Sequence, residues 1–301
     1  MDMTGQGQVI HIFSKACGGD PFTDEELSSG NLGGAHLVPL LDHSNIQSSK
    51  LERQVAKPAP SSATSTSTTD PTPPPVCTWG YFIFGGKTLA ELKAIASTDK
   101  APSVDFISTD DALSAFVWQS ITRARSHRLK PSAATTFARA VDVRGHLGIP
   151  KTYPGLMQNM TFHTSTIKKL AEDKLGTVTS QLRAAVDSRT SSLFEDTRAL
   201  ATALHRSRDK SSISFVEDID SSTDIMLSSW AKLDCYYLDF GIGLGKPEAV
   251  RRPQFVPYEG LIYLIPKKPN GEIAVGLCLR DEDMTCLRDD KTFKKFCTYV
   301  G

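Results

Sequence analysis

The side chains that most often carry acid–base and metal chemistry are scattered along this chain. Its seven histidines include no pair at a spacing typical of metal ligands. Its six cysteines form no C-x-x-C pair and do not cluster with the histidines. This usage disfavours a zinc site and a disulfide framework, and it favours free thiols in a reducing, cytoplasmic compartment. The sequence therefore predicts a protein without a bound metal.

The most distinctive segment is a glycine-rich stretch that begins at Asp239, with Gly241, Gly243 and Gly245 at alternate positions. Glycine at every second position weakens a strand or helix, because each glycine costs backbone entropy and offers no side chain to pack. The segment is therefore predicted to be a backbone-exposing loop between two ordered elements. It lacks the strand, glycine spacing and helix of a phosphate cradle. A surface loop of no functional consequence is the alternative.

Composition is that of an enzyme with about two domains, which 301 residues can supply. The 34 basic and 34 acidic side chains balance, so net charge gives no sign of a nucleic-acid partner or a membrane surface. No apolar run reaches the roughly 20 residues of a membrane helix. The first residues predict no secretory signal.

A low-complexity tract divides the chain. Residues 56–76 are dominated by Pro, Ser, Thr and Ala, a composition that cannot bury enough apolar area to order itself, so we expect an exposed linker. Before it, in residues 1–55, Val9, Ile10 and Phe13 predict one apolar face of a helix. Thr23 and Glu26 predict a capping box for a second helix. Residues 77–301 would form the main domain.

After the linker, strand and helix patterns alternate. Asn270-Gly271 is a strong hairpin signal and implies antiparallel pairing, so the predicted class is α/β with a mixed sheet. Helices are predicted after residue 88, after residue 108, over 166–206 and from Arg280. The predicted strands are 79–84, 104–107, 137–147, 213–216, 225–230, 261–266 and 272–279.

Several segments together resemble the BAHD family of coenzyme-A-dependent acyltransferases. The first is the Asp239-Phe240-Gly241 loop with Gly243, although Ile242 stands where plant members usually carry tryptophan. The other matching segments are Ser108–Trp118, Val141–Leu147, Tyr153–Asn159 and Ser228–Trp230. In detail the chain is similar to the fungal members that acetylate trichothecene sesquiterpenoids.

The resemblance implies a chloramphenicol-acetyltransferase-like mixed sheet with flanking helices, present as one full domain and a remnant of another. It implies acetyl-CoA as co-substrate with no other cofactor, an alcohol acceptor and a monomer. Members use a His-x-x-x-Asp motif whose histidine is the general base. Asp2 matches the aspartate, and the histidine would precede Met1. We therefore expect an inactive C-terminal portion of an O-acyltransferase; a pseudoenzyme that at most binds coenzyme A is the alternative. His205 and Asp209 match the motif as text but lack its context.

The resemblance also assigns roles. Asp2 is expected to pair with Arg144 and lock the motif to the main domain; a weak surface ion pair is the alternative. Ser108 and Thr109 would bind the acyl donor, although simple helix capping explains them equally well. The remaining expectations are a substrate-binding role for Ser229 and Trp230, of which Trp230 could equally be core, and a structural role for Asp239, Gly241 and Gly243.

Overall fold

The computed structural model describes residues 1–30, 32–33, 37–42, 54, 75–214, 219–253 and 256–301. All of the predicted linker except its last two residues therefore lies outside the described residues. Within them the chain builds a seven-stranded sheet in the order β3-β2-β4-β5-β6-β1-β7. The strands are β1 (Cys77–Phe84), β2 (Ala134–Asp142), β3 (Gln158–Thr166), β4 (Ile225–Ser229), β5 (Leu261–Leu264), β6 (Ile273–Arg280) and β7 (Thr298–Tyr299).

Helices precede, interleave and follow these strands. They are α1 (Met3–Gly18), α2 (Asp24–Gly30), α3 (Gly86–Thr98), α4 (Thr109–Arg125), α5 (Arg144–Leu147), α6 (Ile167–Glu172), α7 (Leu175–Ala184), α8 (Leu193–Arg206), α9 (Asp281–Asp289) and α10 (Lys291–Phe296). Among the helices that the described residues form, none combines the length and the apolar composition that a bilayer crossing needs.

The sheet has two unlike faces because successive side chains in a strand point to opposite sides. In β1, Phe82 and Phe84 are buried, whereas Tyr81 and Ile83, which alternate with them, are only half-buried. The buried set packs under α3, α4, α7, α9 and α10 in one large core. Within the described residues no such helix layer covers the opposite set, and we call it the open face.

The predicted mixed sheet is confirmed. β2 pairs with β4, and β4 with β5, in parallel. β5 and β6 pair antiparallel, as the Asn270-Gly271 signal predicts, and Gly271 takes the positive φ of 88° that this turn needs. The strands predicted at 79–84, 225–230, 261–266 and 272–279 are all present within a few residues.

Three expectations about local structure were wrong. Residues 104–107 form no strand; Val104 and Ile107 are buried in a small cluster beside α3 and α4, while Phe106 between them is exposed. β2 ends at Asp142, not at 147, because the chain turns into α5. α3 begins at Gly86, with Gly85 as its N-cap, and not after residue 88. Part of the predicted strand 213–216 lies outside the described residues.

The segment before the linker forms both predicted helices. In the capping box of α2, the Thr23 hydroxyl accepts from the Glu26 amide at 3.2 Å, and the Glu26 carboxylate accepts from the Thr23 amide at 2.7 Å. α1 lies against the turn after α5, and a Cβ at Gly5 would be 2.2 Å from the Pro154 carbonyl oxygen. The apolar face around Phe13, which is 60% exposed, is left largely open.

Candidate functional site

A cavity of about 610 Å³ lies between the start of α1 and the open face of the sheet. We call it the main cavity. Its volume falls in the range of small-molecule sites, and most of its surface is apolar. Side chains from α1, β2–β5 and the segment that follows the glycine-rich loop line it, among them Met3, Gln6, Ile10, Met160, Met226, Ser228, Trp230, Leu233, Cys235, Arg251 and Tyr263.

Asp2 stands at the wall of the main cavity, but its carboxylate is fully engaged elsewhere. Oδ1 accepts from the amide of Gly5 at 2.7 Å, which caps α1, and from Arg144 Nη2 at 3.0 Å. Oδ2 accepts from the amide of Met157 at 2.6 Å. Arg144 is fully buried and also binds the carbonyl oxygen of Tyr153 at 3.0 Å. The expected ion pair is thus present, and it is buried rather than a surface pair.

Ser228 and Trp230 share the open face at the end of β4. Trp230 is buried, and its indole Nε1 donates to Ser228 Oγ at 3.0 Å. Since that oxygen accepts this bond, its own proton is directed elsewhere, and the hydroxyl donates to no described residue. The pair therefore presents one free O–H donor to the main cavity.

Ser229, which we expected to bind substrate, lies on the other face. The period of two in a strand turns it towards α4, where its hydroxyl donates to the carboxylate of Asp110. The same carboxylate is bound by Arg139. The structure therefore brings Ser228, not Ser229, to the cavity wall, and alternation from Trp230 was the signal that could have shown it.

Trp230 packs in a cluster of aromatic side chains on the open face. The Trp230 and Tyr263 ring centroids are 4.8 Å apart, and Arg252 lies 4.8 Å from the Tyr263 ring and 3.8 Å from the ring of Trp79. Burial raises the pKa of Tyr263, so its phenol stays protonated at neutral pH. Sequence reasoning missed Tyr263, which faces Ser228 across the parallel pair β4–β5.

Ser108 and Thr109 lie at the start of α4, on the helix-covered face of the sheet, and neither lines the main cavity. The Ser108 hydroxyl is committed to a capping box: it accepts from the Asp111 amide at 3.1 Å and bonds the Asp111 carboxylate at 2.6 Å. Burial opposes ionisation of Asp111, but Arg139 at 2.8 Å and Ser108 hold its pKa below the ordinary value. The Thr109 hydroxyl makes no hydrogen bond to a described residue. Of the two predicted donor-binding residues, Thr109 is the one with a free group.

The glycine-rich loop docks on the end of α1. Ser14 of α1 donates to the carbonyl oxygen of Asp239 at 2.9 Å, and the Asp239 carboxylate accepts from the Gly241 amide at 3.0 Å. Gly241 has a φ of +66°, and a Cβ there would lie 2.9 Å from the carbonyl oxygen of Cys17. These contacts are those of a loop anchored on the end of α1.

No histidine among the described residues lines the main cavity. His205 lies at the end of α8. His11 on α1 is 2.9 Å from Glu26. The titratable side chains that do line the cavity are Asp2, which is engaged, Cys235 and Tyr263, whose pKa values burial raises, and Arg251. The described cavity therefore holds no group suited to take a proton from an alcohol at neutral pH.

A group of possible metal ligands lies elsewhere. In the described part of the chain, His127, Glu282 and Asp283 are close enough to share an ion. Asp283 is fully buried and bound by Arg128 through Nε at 3.0 Å and Nη2 at 2.7 Å. That guanidinium occupies the carboxylate and repels a cation, so the group has the character of an ion-pair network rather than a metal centre.

The sequence is similar to those of known acetyltransferases. An O-acetyltransferase of Cryptosporiopsis sp. is 54% identical, and the trichothecene 3-O-acetyltransferase TRI101 of Fusarium sporotrichioides is 48% identical; both cover 100% of this chain. The chain spans only 65% and 64% of the lengths of these two relatives.

Solved structures give the same result. The structure of F. sporotrichioides TRI101 complexed with coenzyme A and T-2 matches with a TM-score of 0.91 and 47% identity, over 100% of this chain and 65% of that one. Vinorine synthase matches with a TM-score of 0.64 at 15% identity, over 98% of this chain and 60% of that one, and shares the fold.

The sequence profile of the Transferase family matches residues 35–294. On this match and on the identity to the fungal acetyltransferases, the chain belongs to the Transferase family, the BAHD-type acyltransferases.

Proposed function

We propose that this protein transfers an acetyl group from acetyl-CoA to a hydroxyl of a trichothecene-like sesquiterpenoid or another secondary-metabolite alcohol. The observation that carries the proposal is the Ser228–Trp230 pair, which directs a free O–H donor into an apolar cavity of about 610 Å³. The relatives support it, since the similar TRI101 structures are complexed with coenzyme A and with T-2 or deoxynivalenol.

The reaction needs such a donor. The acceptor oxygen attacks the thioester carbonyl carbon while its hydroxyl proton passes to a base, so that the carbon becomes tetrahedral and its carbonyl oxygen becomes an oxyanion. The C–S bond then breaks, the ester forms, and the thiolate of coenzyme A leaves and takes up a proton. A hydroxyl that is already oriented by an indole N–H stabilises the oxyanion without reorganising. Ser228 fills this role, and Trp230 positions it.

The two substrates would enter from different parts of the fold. Thr109 and the free amides at the start of α4 suit the polar chain of the acyl donor. The methionine, leucine and aromatic side chains of the main cavity suit a compact apolar acceptor, since such a wall offers few groups to satisfy a strongly polar one.

A second candidate function follows from the lining of the described cavity, which contains no general base. The 301-residue polypeptide would then bind both substrates without transferring the acetyl group. A general base typically contributes about 10²- to 10⁴-fold, so its absence alone brings the rate close to background.

One set of measurements separates the two functions. Calorimetric titration of the purified chain with coenzyme A and with deoxynivalenol tests binding, and transfer from radiolabelled acetyl-CoA tests catalysis. Acetyl transfer by the chain predicts binding of both ligands and transfer above background without imidazole. The binding-only function predicts binding of both ligands, transfer near background, and an increase when imidazole is added as an external base. Failure to bind either ligand would refute the proposal; robust transfer without imidazole would refute the binding-only alternative.

Variants identify the oxyanion donor. Ser228→Ala should abolish the imidazole-assisted transfer, because loss of one such donor costs about 10²- to 10³-fold. Ser28→Ala is the matched control, an exposed serine of α2 that does not line the cavity. Equal rates for the two variants would remove Ser228 from the reaction.

A further inference from the structure

A second cavity, of about 350 Å³, adjoins the main cavity on the open face. The two share Val250, Arg251 and Pro266 in their walls. The floor of the second cavity is apolar and aromatic. It is built by Tyr81 and Ile83 of β1, Ala274 of β6, and Ile265 just after β5, with Tyr236 beside them.

The wall between the cavities carries a cation that no described residue neutralises. Arg251 makes no ion pair with a described residue; its Nη1 donates to the carbonyl oxygen of Val250 at 3.3 Å. Its backbone neighbour is fixed, because the Val250 amide donates to the Tyr236 hydroxyl at 3.2 Å. The Arg251 side chain is exposed at the junction, and toward the described residues its guanidinium retains most of its five donors.

The other charges at the rim do not compensate Arg251. Lys268 and Glu272 pair with each other at 3.3 Å and cancel. Arg252 is buried and stacks on Trp79. The second cavity thus combines an apolar floor with a net positive rim, and a ligand that matches both is an apolar molecule with an ionised acid group. A planar guanidinium with free donors matches a carboxylate in both geometry and charge.

We propose that the second cavity binds the acidic end of the acyl acceptor, and that Arg251 pairs with its carboxylate while the acceptor hydroxyl lies in the main cavity. The acceptor class would then include apolar or aromatic hydroxy acids in addition to neutral alcohols. This proposal rests on the proposed function for its acceptor, but the binding it describes can be measured without any acetyl transfer.

The test uses two ligands that have the same hydroxynaphthalene ring system and differ in charge. The chain is titrated calorimetrically with 6-hydroxy-2-naphthoic acid and with its methyl ester, which lacks the charge. We expect the acid to bind at least about tenfold more tightly than the ester at low salt, a factor that corresponds to about 1.4 kcal/mol. Salt should reduce this preference, because it screens an exposed pair.

Variants assign the preference to one residue. Arg251→Gln should abolish it, and Arg251→Lys should retain part of it. Lys246→Gln removes a nearby exposed charge that lines neither cavity, so it should leave the preference unchanged. Equal affinities of acid and ester for the unmodified chain would overturn the proposal, as would a preference that survives in Arg251→Gln.

Coenzyme A provides the other source of anionic groups. If Arg251→Gln weakens coenzyme A binding and leaves the acid unaffected, the cation serves the donor's phosphates and the acceptor assignment is wrong. If the acid binds as expected and coenzyme A does not bind at all, the result supports acid binding in the second cavity and refutes the proposed acetyl transfer. The two proposals are therefore tested separately.

Discussion

The two faces of the sheet are built from the same strands but from different chemistry. The helix-covered face is apolar. The ring centroids of Phe84 and Phe116 lie 6.2 Å apart in an edge-to-face arrangement, and those of Phe84 and Phe293 lie 5.9 Å apart. The open face carries hydroxyls, phenols and an arginine around two cavities. Apolar contacts on one face supply the stability that leaves the other free to hold polar groups without covering helices.

Substitutions at two consecutive residues of β1 test most directly whether the two faces contribute differently to stability. Phe84→Ala should lower the free energy of unfolding by about 3–5 kcal/mol, because a fully buried ring leaves a cavity behind. Ile83→Ala, on the open face, should cost about 1 kcal/mol, since the side chain is only half-buried. Urea denaturation monitored by circular dichroism measures both. Similar losses would mean that the open face also bears the stability of the domain.

Arg144 is the exception on the open side, because it is as buried as the core. Arg144→Ala should destabilise the contact between α1 and the 153–157 turn by roughly 3–5 kcal/mol, since it leaves the Asp2 carboxylate buried without its cation. Arg189→Ala breaks an exposed pair with Asp105 and should change little. Hydrogen exchange of the α1 amides reports the difference. Unchanged protection in Arg144→Ala would contradict the proposed lock.

Elements of these faces could be predicted from the sequence where the signals are local, and could not where tertiary contacts decide the structure. Strands β1, β5 and β6 were predictable because alternation and the Asn270-Gly271 turn are local signals. Residues 104–107 were not, because Val104 and Ile107 are buried beside α3 and α4 in a loop, and only tertiary packing decides between loop and strand. The end of β2 depends on Arg144, which turns inward to meet Asp2 142 residues away.

For the site, the sequence supplied residue identity better than orientation. Trp230 and the Asp2–Arg144 contact could be expected from motifs; Trp230 lines the main cavity, and Asp2 lies 3.0 Å from Arg144. Ser228 and Ser229 are chemically identical neighbours, and the alternation of side chains along β4, counted from Trp230, decides which one faces the main cavity. Tyr263 and Arg251 belong to no short motif, because their importance arises from strands and loops that meet in space.

A smaller effect is expected where the glycine-rich loop joins α1. Gly241 and Gly243 both have positive φ, so alanine at either position should cost about 1–2 kcal/mol of backbone strain. At Gly241 the added Cβ also meets the Cys17 carbonyl oxygen at 2.9 Å, whereas at Gly243 it meets open space. The difference between the two variants in thermal denaturation therefore isolates the docking contact. Equal losses would show that the loop is not held by α1.

The smallest expected effect is local and depends on pH. Hydrogen bonds from Lys15, the Thr23 amide and His11 lower the pKa of Glu26 from 4.5 to about 2. Because the folded pKa is depressed, this carboxylate stabilises the α1–α2 contact above pH 4.5, and the stabilisation is lost as pH falls towards 2. The Thr23 amide resonance should titrate with a midpoint near 2. A midpoint near 4.5, or an unchanged titration in Glu26→Gln, would contradict this.

The triple role of the Asp2 carboxylate also bears on the order of folding. A helix is normally started by a cap from its own neighbourhood, but the cap of α1 is itself held by Met157, 155 residues along the chain. The entropy cost of closing such a long loop must be met before the contact can contribute favourable free energy. The first turn of α1 is therefore a late event: mutations at Asp2 should accelerate unfolding and leave the folding rate nearly unchanged, with a φ-value close to zero.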